Sequence, residues 1–161
     1  MKNVVIIGGG TGLSVMLRGM KHIDDIRLSA IVTVADDGGS TGRIRDSYQI
    51  PAMGDVRHVM CAMAEEEGFF TELMNYRFDG EGDIAGHNLG NLLLLALSQT
   101  SGSFMEAIRT FSRVLKVKGK IIPSTLEIVT LFAIMEDGTI VRGEDNIPKF
   151  RNHIDRVFYQ R

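Results

Sequence analysis

The residues best suited to chemistry fall in four short glycine-bearing segments. The first is Gly8-Gly9-Gly10-Thr11-Gly12. A turn of this kind before a helix leaves backbone N–H groups bare at the helix N-terminus, where the macrodipole favours an anion such as phosphate. The second is Asp36-Asp37-Gly38-Gly39-Ser40-Thr41-Gly42-Arg43. Carboxylates in such a loop accept from ribose hydroxyls or hold Mg²⁺ beside a substrate phosphate, and the backbone donors and two hydroxyls after them suit an anion. Arg43 and Arg45 are placed to clamp it. The third is Gly54-Asp55-Val56-Arg57-His58, where Asp55 either caps a helix or serves a site. The fourth, Gly86-His87-Asn88-Leu89-Gly90-Asn91, opens an apolar helix and offers another anion-binding N-terminus. Each has a plain structural alternative. Glycines allow close packing, an Asp pair forms Asx turns, and Asn88 caps a helix.

The same residues exclude several chemistries. The glycine run is near the dinucleotide fingerprint, but its third glycine would fall at Leu13, which argues against a nicotinamide oxidoreductase. No Gly-Lys-Ser/Thr follows, so it is not a P-loop. The histidines His22, His58, His87 and His153 are scattered and lack ligand spacing, so no zinc site is expected. The single cysteine, Cys61, lies in the apolar run Val59-Met60-Cys61-Ala62-Met63 and reads as buried and inert, in a reducing compartment. A net charge of -2 offers no basic face for nucleic acid. The apolar run from Leu92 to Leu97 is too short to span a bilayer, and no signal-peptide pattern opens the chain. A cytoplasmic protein is expected. With 44% hydrophobic residues over 161 positions, the chain can build one domain with its own core.

The elements that must position these segments follow from periodicity. Asn3 to His22 reads as a buried strand, a tight turn and a helix with Leu13, Met16, Leu17 and Met20 on one face. Leu28 to Ala35 is a second, β-branched strand ending in the Asp36–Arg43 loop. Strand, helix and strand in that order imply a parallel pair. Pro51 and Gly54 break the chain before a helix from Asp55 with Val56, Val59, Met60 and Met63 inward. Phe69 to Met74 is a short helix and Asp79 to Gly86 a loop. Leu89 to Ser98 is apolar almost all round and reads as a central buried helix. Ser103-Phe104-Met105-Glu106 is a capping box opening a helix lined by Phe104, Ala107, Ile108, Phe111 and Leu115. Beyond Gly119, Glu127–Met135 and Thr139–Arg142 form a hairpin about Asp137-Gly138, and Ile154–Tyr159 is a further strand. The fold class is α/β: a Rossmann-like parallel core with flanking helices and a small β-hairpin excursion.

These segments, in this order, resemble the YvcK-like proteins, or gluconeogenesis factors, of the CofD superfamily. The resemblance rests on Val5 through Ser14, Val32 through Arg43, Pro51 with Gly54-Asp55-Val56-Arg57, and Gly86 through Leu92. Ser112-Arg113-Val114-Leu115 and Pro123 extend it over nearly the whole chain. It implies a cytoplasmic bacterial protein needed for gluconeogenic growth and normal cell shape, which binds a uridine-diphosphate sugar. The superfamily also includes the Mg²⁺-dependent 2-phospho-L-lactate transferase of deazaflavin cofactor synthesis, in which the aspartate matching Asp55 belongs to the substrate site. That enzyme's downstream Leu-Gly-Asp-Arg-Asp stretch has no counterpart here. Family members run to about twice this length, a size typical of complete doubly wound domains, so residues 1–161 read as one domain truncated relative to the family.

The expected function is therefore that of a regulatory factor binding a nucleotide sugar of the UDP-N-acetylglucosamine type. Gly8 to Gly12 would cradle the diphosphate, Asp36 and Asp37 would contact ribose or Mg²⁺, and His87, Asn88 and Asn91 would line the far wall. Gly38, Gly39, Ser40, Thr41, Arg43 and Asp55 complete the expected ligand set. The alternative is a Mg²⁺-dependent phosphotransferase with Asp37 and Asp55 as catalytic candidates. The nine methionines and an exposed half-domain edge invite homo-oligomer formation.

Overall fold

The computed structural model describes residues 1–161. Its centre is a parallel sheet of β1 (Lys2–Gly8), β2 (Ile26–Val32) and β3 (Lys120–Pro123), in the order β1-β2-β3. The first two strands are in register from Lys2 opposite Ile26 to Gly8 opposite Val32. β2 ends before the expected Ala35 because its neighbour stops at Gly8; Val34 and Ala35 are buried without a strand to pair with. β3 was not expected. Its four residues show too little alternation to read as a strand, and they become one by pairing with Ser29–Val32.

The helices are α1 (Thr11–Met20), α2 (Gly39–Tyr48), α3 (Gly54–Met63), α4 (Phe69–Asn75), α5 (Leu89–Ser101) and α6 (Phe104–Val114). In α1, Leu13 and Leu17 enter the core, whereas Met16 leaves the expected face and is exposed. The segment expected as one loop from Asp36 to Arg43 is corrected. Only its first part is loop, and α2 begins at Gly39. Its Gly-Ser-Thr-Gly start has poor helix propensity. Burial of Ser40, Thr41, Ile44 and Arg45 outweighs that deficit. α5 is corrected in a second way. Leu94 and Leu95 are buried, but Leu92, Leu93 and Leu97 only partly so, and Ala96 is exposed. The expected capping box on α6 is half formed. Ser103 accepts from the Glu106 N–H at 3.4 Å, while the Glu106 carboxylate turns to Arg109.

One face of the sheet is covered. Val4 and Ile6 of β1, Leu28, Ala30 and Val32 of β2 and Ile121 of β3 meet α1, α3 and α6 in a core of 23 buried residues. Cys61 belongs to that core, 1% exposed, as its apolar setting predicts. The C-terminal region forms a second, antiparallel sheet of β4 (Thr130–Met135), β5 (Ile140–Arg142) and β6 (Ile154–Gln160), in the order β5-β4-β6. Its hairpin turns at Asp137-Gly138, where Gly138 takes a φ of +82°. This sheet has a small core of its own, Ala133, Met135, Val141 and Ile147. Two polar contacts anchor it to the main body. The Arg45 guanidinium donates to Thr130 Oγ1 at 2.6 Å, and the Asp145 N–H donates to Asp37 Oδ1 at 3.1 Å. No helix is long and apolar enough to cross a membrane.

Candidate functional site

Four helices open toward one region beyond the carboxyl ends of β1 and β2. α1 follows β1 directly, and the loop after β2 leads into α2. The start of α3 packs against both: a Cβ added at Gly54 would overlap Thr41 Oγ1 and lie 3.1 Å from Asp36 Oδ2. α5 joins through Ser40, whose Oγ accepts from the Asn88 N–H at 3.1 Å. Gly10, Gly38 and Met53, the residues just before α1, α2 and α3, provide no side-chain cap. The first-turn N–H groups of a helix have no partner within it, so three partly positive ends face the same crevice. α5 differs, because Asn88 caps it by accepting from the Asn91 N–H at 3.1 Å.

Acidic side chains occupy part of this region. Asp55, on the first turn of α3, lies against the glycine turn and accepts a hydrogen bond from the Gly10 backbone. A Cβ at Gly10 would overlap Asp55 Oδ1 and lie 3.2 Å from His58 Nδ1, so glycine is required there for the approach. Burial raises the Asp55 carboxyl above its ordinary value, and repulsion from Asp36 adds to this. Asp36 Oδ1 accepts from the Gly38 N–H at 2.9 Å, which is the Asx turn. Glu144, in the turn after β5, is also raised, by burial first and then by Asp36, Asp55 and Asp37. Asp36 and Asp37 have separate partners, since Asp37 faces Asp145 and Gly143. No group of three or more His, Cys, Asp or Glu side chains is arranged to hold a metal ion.

Beneath the crevice runs a buried polar network. Asn91 Nδ2 donates to Ser40 Oγ and Thr41 Oγ1, each at 3.3 Å. Arg57 Nε donates to Asn91 Oδ1 at 3.0 Å, and its other nitrogens reach Met74 O at 3.3 Å, Asn75 Oδ1 and His58 Nε2. Ser40 Oγ accepts twice from the α5 start, which leaves its own proton for His87 Nδ1 at 3.2 Å. His87 is then the neutral tautomer protonated at Nε2. Burial lowers its pKa, with Arg43 and Arg77 adding to the shift. His58 is pushed down to about 4 by desolvation and then by Arg57, so it accepts from Arg57 as a neutral ring.

The expected residues thus divide. Gly9 and Gly10 lie against Asp55, and Gly38 lies against Asp36, whose charge acts on Asp55, while Gly12 and Gly39 have no side-chain or backbone neighbour near the α-carbon. Ser40, Thr41, Asn88 and Asn91 are buried, and protein partners take up the Ser40 hydroxyl, the Asn88 Oδ1 and the Asn91 amide that the expected far wall would offer a ligand. Arg43 donates to Ala85 O at 2.9 Å. Arg45 is corrected: it is 3% exposed and ties Ala35 O to Thr130, so it clamps two elements and no ligand. Arg57 and Glu144 were missed. A guanidinium just ahead of the apolar run Val59–Met63 was a usable signal for Arg57. Nothing local pointed to Glu144, which reaches the crevice only through the packing of the second sheet.

The raised pKa of Asp55 fixes the sign of a test. Its ionised form is disfavoured in the folded state, so the native protein holds the extra proton between the unfolded pKa and the raised one. Stability is lost as pH rises through that window. Asp55→Asn, which keeps an acceptor for Gly10, is expected to stabilise the fold by about 1 kcal/mol at pH 7.5. The gain should shrink on acidification and vanish below the ordinary carboxylate value of 3.8. Urea titrations of both proteins between pH 7.5 and 4 measure it.

Fold and site together define a parallel α/β protein with glycine-rich loops and uncapped helix ends at the carboxyl edge of its sheet. The particular family follows from comparison with known proteins. The profile of the 2-phospho-L-lactate transferase CofD family matches residues 4–161, and the chain belongs to that family. It is 50% identical over 157 residues to the gluconeogenesis factor of Listeria monocytogenes, covering 98% of this chain and 48% of that protein. It is 48% identical over 155 residues to the gluconeogenesis factor of Bacillus subtilis, covering 96% of this chain and 49% of the relative. A crystal structure of a UPF0052 family protein from Bacillus halodurans superposes with a TM-score of 0.94 at 49% identity, over 99% of this chain and 51% of that one. The chain spans about half the length of the relatives it matches.

Proposed function

We propose that this chain contributes the phosphate-facing wall of a nucleotide-sugar site in a gluconeogenesis factor, with a ligand of the UDP-N-acetylglucosamine type. The carrying observation is that α1, α2 and α3 begin without side-chain caps at one crevice. A diphosphate would supply the missing acceptors to the bare N–H groups of Thr11, Gly12 and Gly39. The acidic side suits the rest of such a ligand, since Asp36 and Asp55 can accept from ribose or sugar hydroxyls. Two features support a binding role over catalysis. The crevice holds no nucleophile–base pair, and both histidines near it are neutral and already partnered. The relatives' names support a part in gluconeogenic growth, and a role in cell shape belongs to the same reading.

A second reading has its own support. Asp36 and Asp55 repel each other in a partly buried place, and a divalent cation between them and a ligand phosphate would relieve that repulsion. Mg²⁺ held there would neutralise phosphate charge, as a phosphotransferase requires. Calorimetric titration of UDP-N-acetylglucosamine, with and without Mg²⁺, into the chain extended to its relatives' length separates the readings. Saturable heat independent of Mg²⁺ and competed by UDP is expected. Absence of heat with UDP, UDP-N-acetylglucosamine and GDP overturns the nucleotide site. Turnover of a phospholactyl-nucleotide donor only with Mg²⁺ favours the transferase.

A further inference from the structure

We infer that the turn before α5 carries an anion site for a phosphate group, held by the guanidiniums of Arg43 and Arg77 and the Nε2–H of His87. Arg43 reaches the turn from α2 and donates from Nη2 to Ala85 O at 2.9 Å. Arg77 reaches it from the segment after α4 and donates from Nη1 to Gly86 O at 2.6 Å. Two guanidiniums are thus fixed on consecutive carbonyls, next to a histidine. Gly86 makes room for them. It takes a φ of +72°, and a Cβ there would lie 3.1 Å from Arg43 Nη2. The turn is itself tied down, by the Gly86 N–H on Phe78 O at 2.7 Å and the Phe78 N–H on His87 O at 2.9 Å.

Neither guanidinium is in an ion pair. Each makes its one hydrogen bond to a carbonyl, so the remaining N–H groups of both forks are free. Asp79, Glu81 and Asp83 stand in the loop just before the turn, yet neither arginine pairs with them. Both charges act on His87 instead. After burial, they hold its pKa down, and no carboxylate offsets them. The tautomer of His87 completes the set. Its Nδ1 faces Ser40 Oγ at 3.2 Å, which leaves Nε2–H as a third donor without a protein partner. Unpaired like charges at one turn repel each other, and a dianion between them relieves that repulsion. Phosphate has the two charges and enough acceptors to meet both forks and the imidazole, whereas a carboxylate has one charge. The arginines are already ordered on their carbonyls, so binding costs little further side-chain entropy. The site does not rest on the nucleotide-sugar reading. Asn88 already caps α5, and the donors here are side chains, not bare helix ends.

Inorganic phosphate titrated into the chain at constant pH and ionic strength tests the site, with the histidine ring signals followed by NMR. The His87 signals are expected to shift saturably, while those of His22 and His153, which lie outside the turn, stay in place. Arg43→Gln and Arg77→Gln should each weaken the apparent affinity about tenfold, and the double variant should abolish the response. Arg43→Lys keeps a charge and a donor for Ala85 O and should lose only about threefold. It guards against a glutamine variant that loosens the turn, which a displaced His87 signal before any phosphate is added would reveal. Phenyl phosphate separates two sources of the group. Tighter binding than inorganic phosphate assigns a phosphorylated small molecule, and weaker binding assigns the free anion. No His87 response to either compound overturns the inference. So does a response that survives in the double variant, or an equal response to acetate at the same ionic strength.

Discussion

Replacing Arg57 by methionine is expected to destabilise the fold by about 3–5 kcal/mol, a fall in Tm of roughly 10 °C. The guanidinium is 4% exposed and donates to groups on α3, α4 and α5. Methionine fills similar volume and satisfies none of them. Asn91 Oδ1 and Met74 O would each lose a donor in a buried place, and every orphaned buried acceptor costs about 1–3 kcal/mol, whereas Asn75 is exposed and can turn to water. Burial lowers the Arg57 pKa from its ordinary value, yet a guanidinium stays charged in proteins, so the arginine form is the one that folds. Arg57→Lys keeps the charge without the fork and should recover less than half of the loss. Denaturant unfolding should show the midpoint moving with an unchanged slope. A double-mutant cycle with Asn91→Ala should return a coupling of about 1–3 kcal/mol. A loss under about 1 kcal/mol for Arg57→Met would mean the network does not hold the helices together.

The network also explains which parts of the fold were legible in the sequence. β1, α1 and the Asp137-Gly138 hairpin follow from local patterns, namely a β-branched run into glycines, an i, i+4 leucine pair and a two-residue turn. α2 does not. Gly39-Ser40-Thr41-Gly42 has loop composition, and what makes it helical is the set of partners its hydroxyls find on α5, far along the chain. β3 is a strand only because β2 offers it an edge. The site divides in the same way. Glycine turns and Asp36 announce themselves locally. That Asn91 serves Arg57 and Ser40, and that Glu144 reaches the crevice, depends on packing between distant segments, which leaves no local pattern. The polar residues that look functional in sequence thus include two kinds, those that face a ligand and those that hold the helix ends where a ligand can reach them.

Gly42→Ala separates local propensity from tertiary constraint more sharply than any other single change. In a helix, glycine to alanine ordinarily stabilises by up to about 1 kcal/mol. Gly19→Ala, on the exposed side of α1 with nothing within 4 Å of the new methyl, should do so. At Gly42 the sign is expected to reverse, with a loss of about 2–4 kcal/mol. A Cβ there would overlap the Asp37 carbonyl oxygen and lie 2.7 Å from its carbonyl carbon. The obstacle is backbone, so no rotamer change relieves it and the Asp36–Gly38 loop must move. That loop holds the second sheet, because Asp37 Oδ1 accepts from the Asp145 N–H at 3.1 Å. Displacing it loosens the turn at 143–146, withdraws Glu144 from the crevice and shifts Asp36 away from the starts of α2 and α3. Proteolysis at that turn should quicken, and any affinity for UDP-N-acetylglucosamine should fall with it. If Gly42→Ala stabilised as Gly19→Ala does, the loop would have room to spare, and the close fit that sets Asp36 beside the starts of α2 and α3 would not constrain the site.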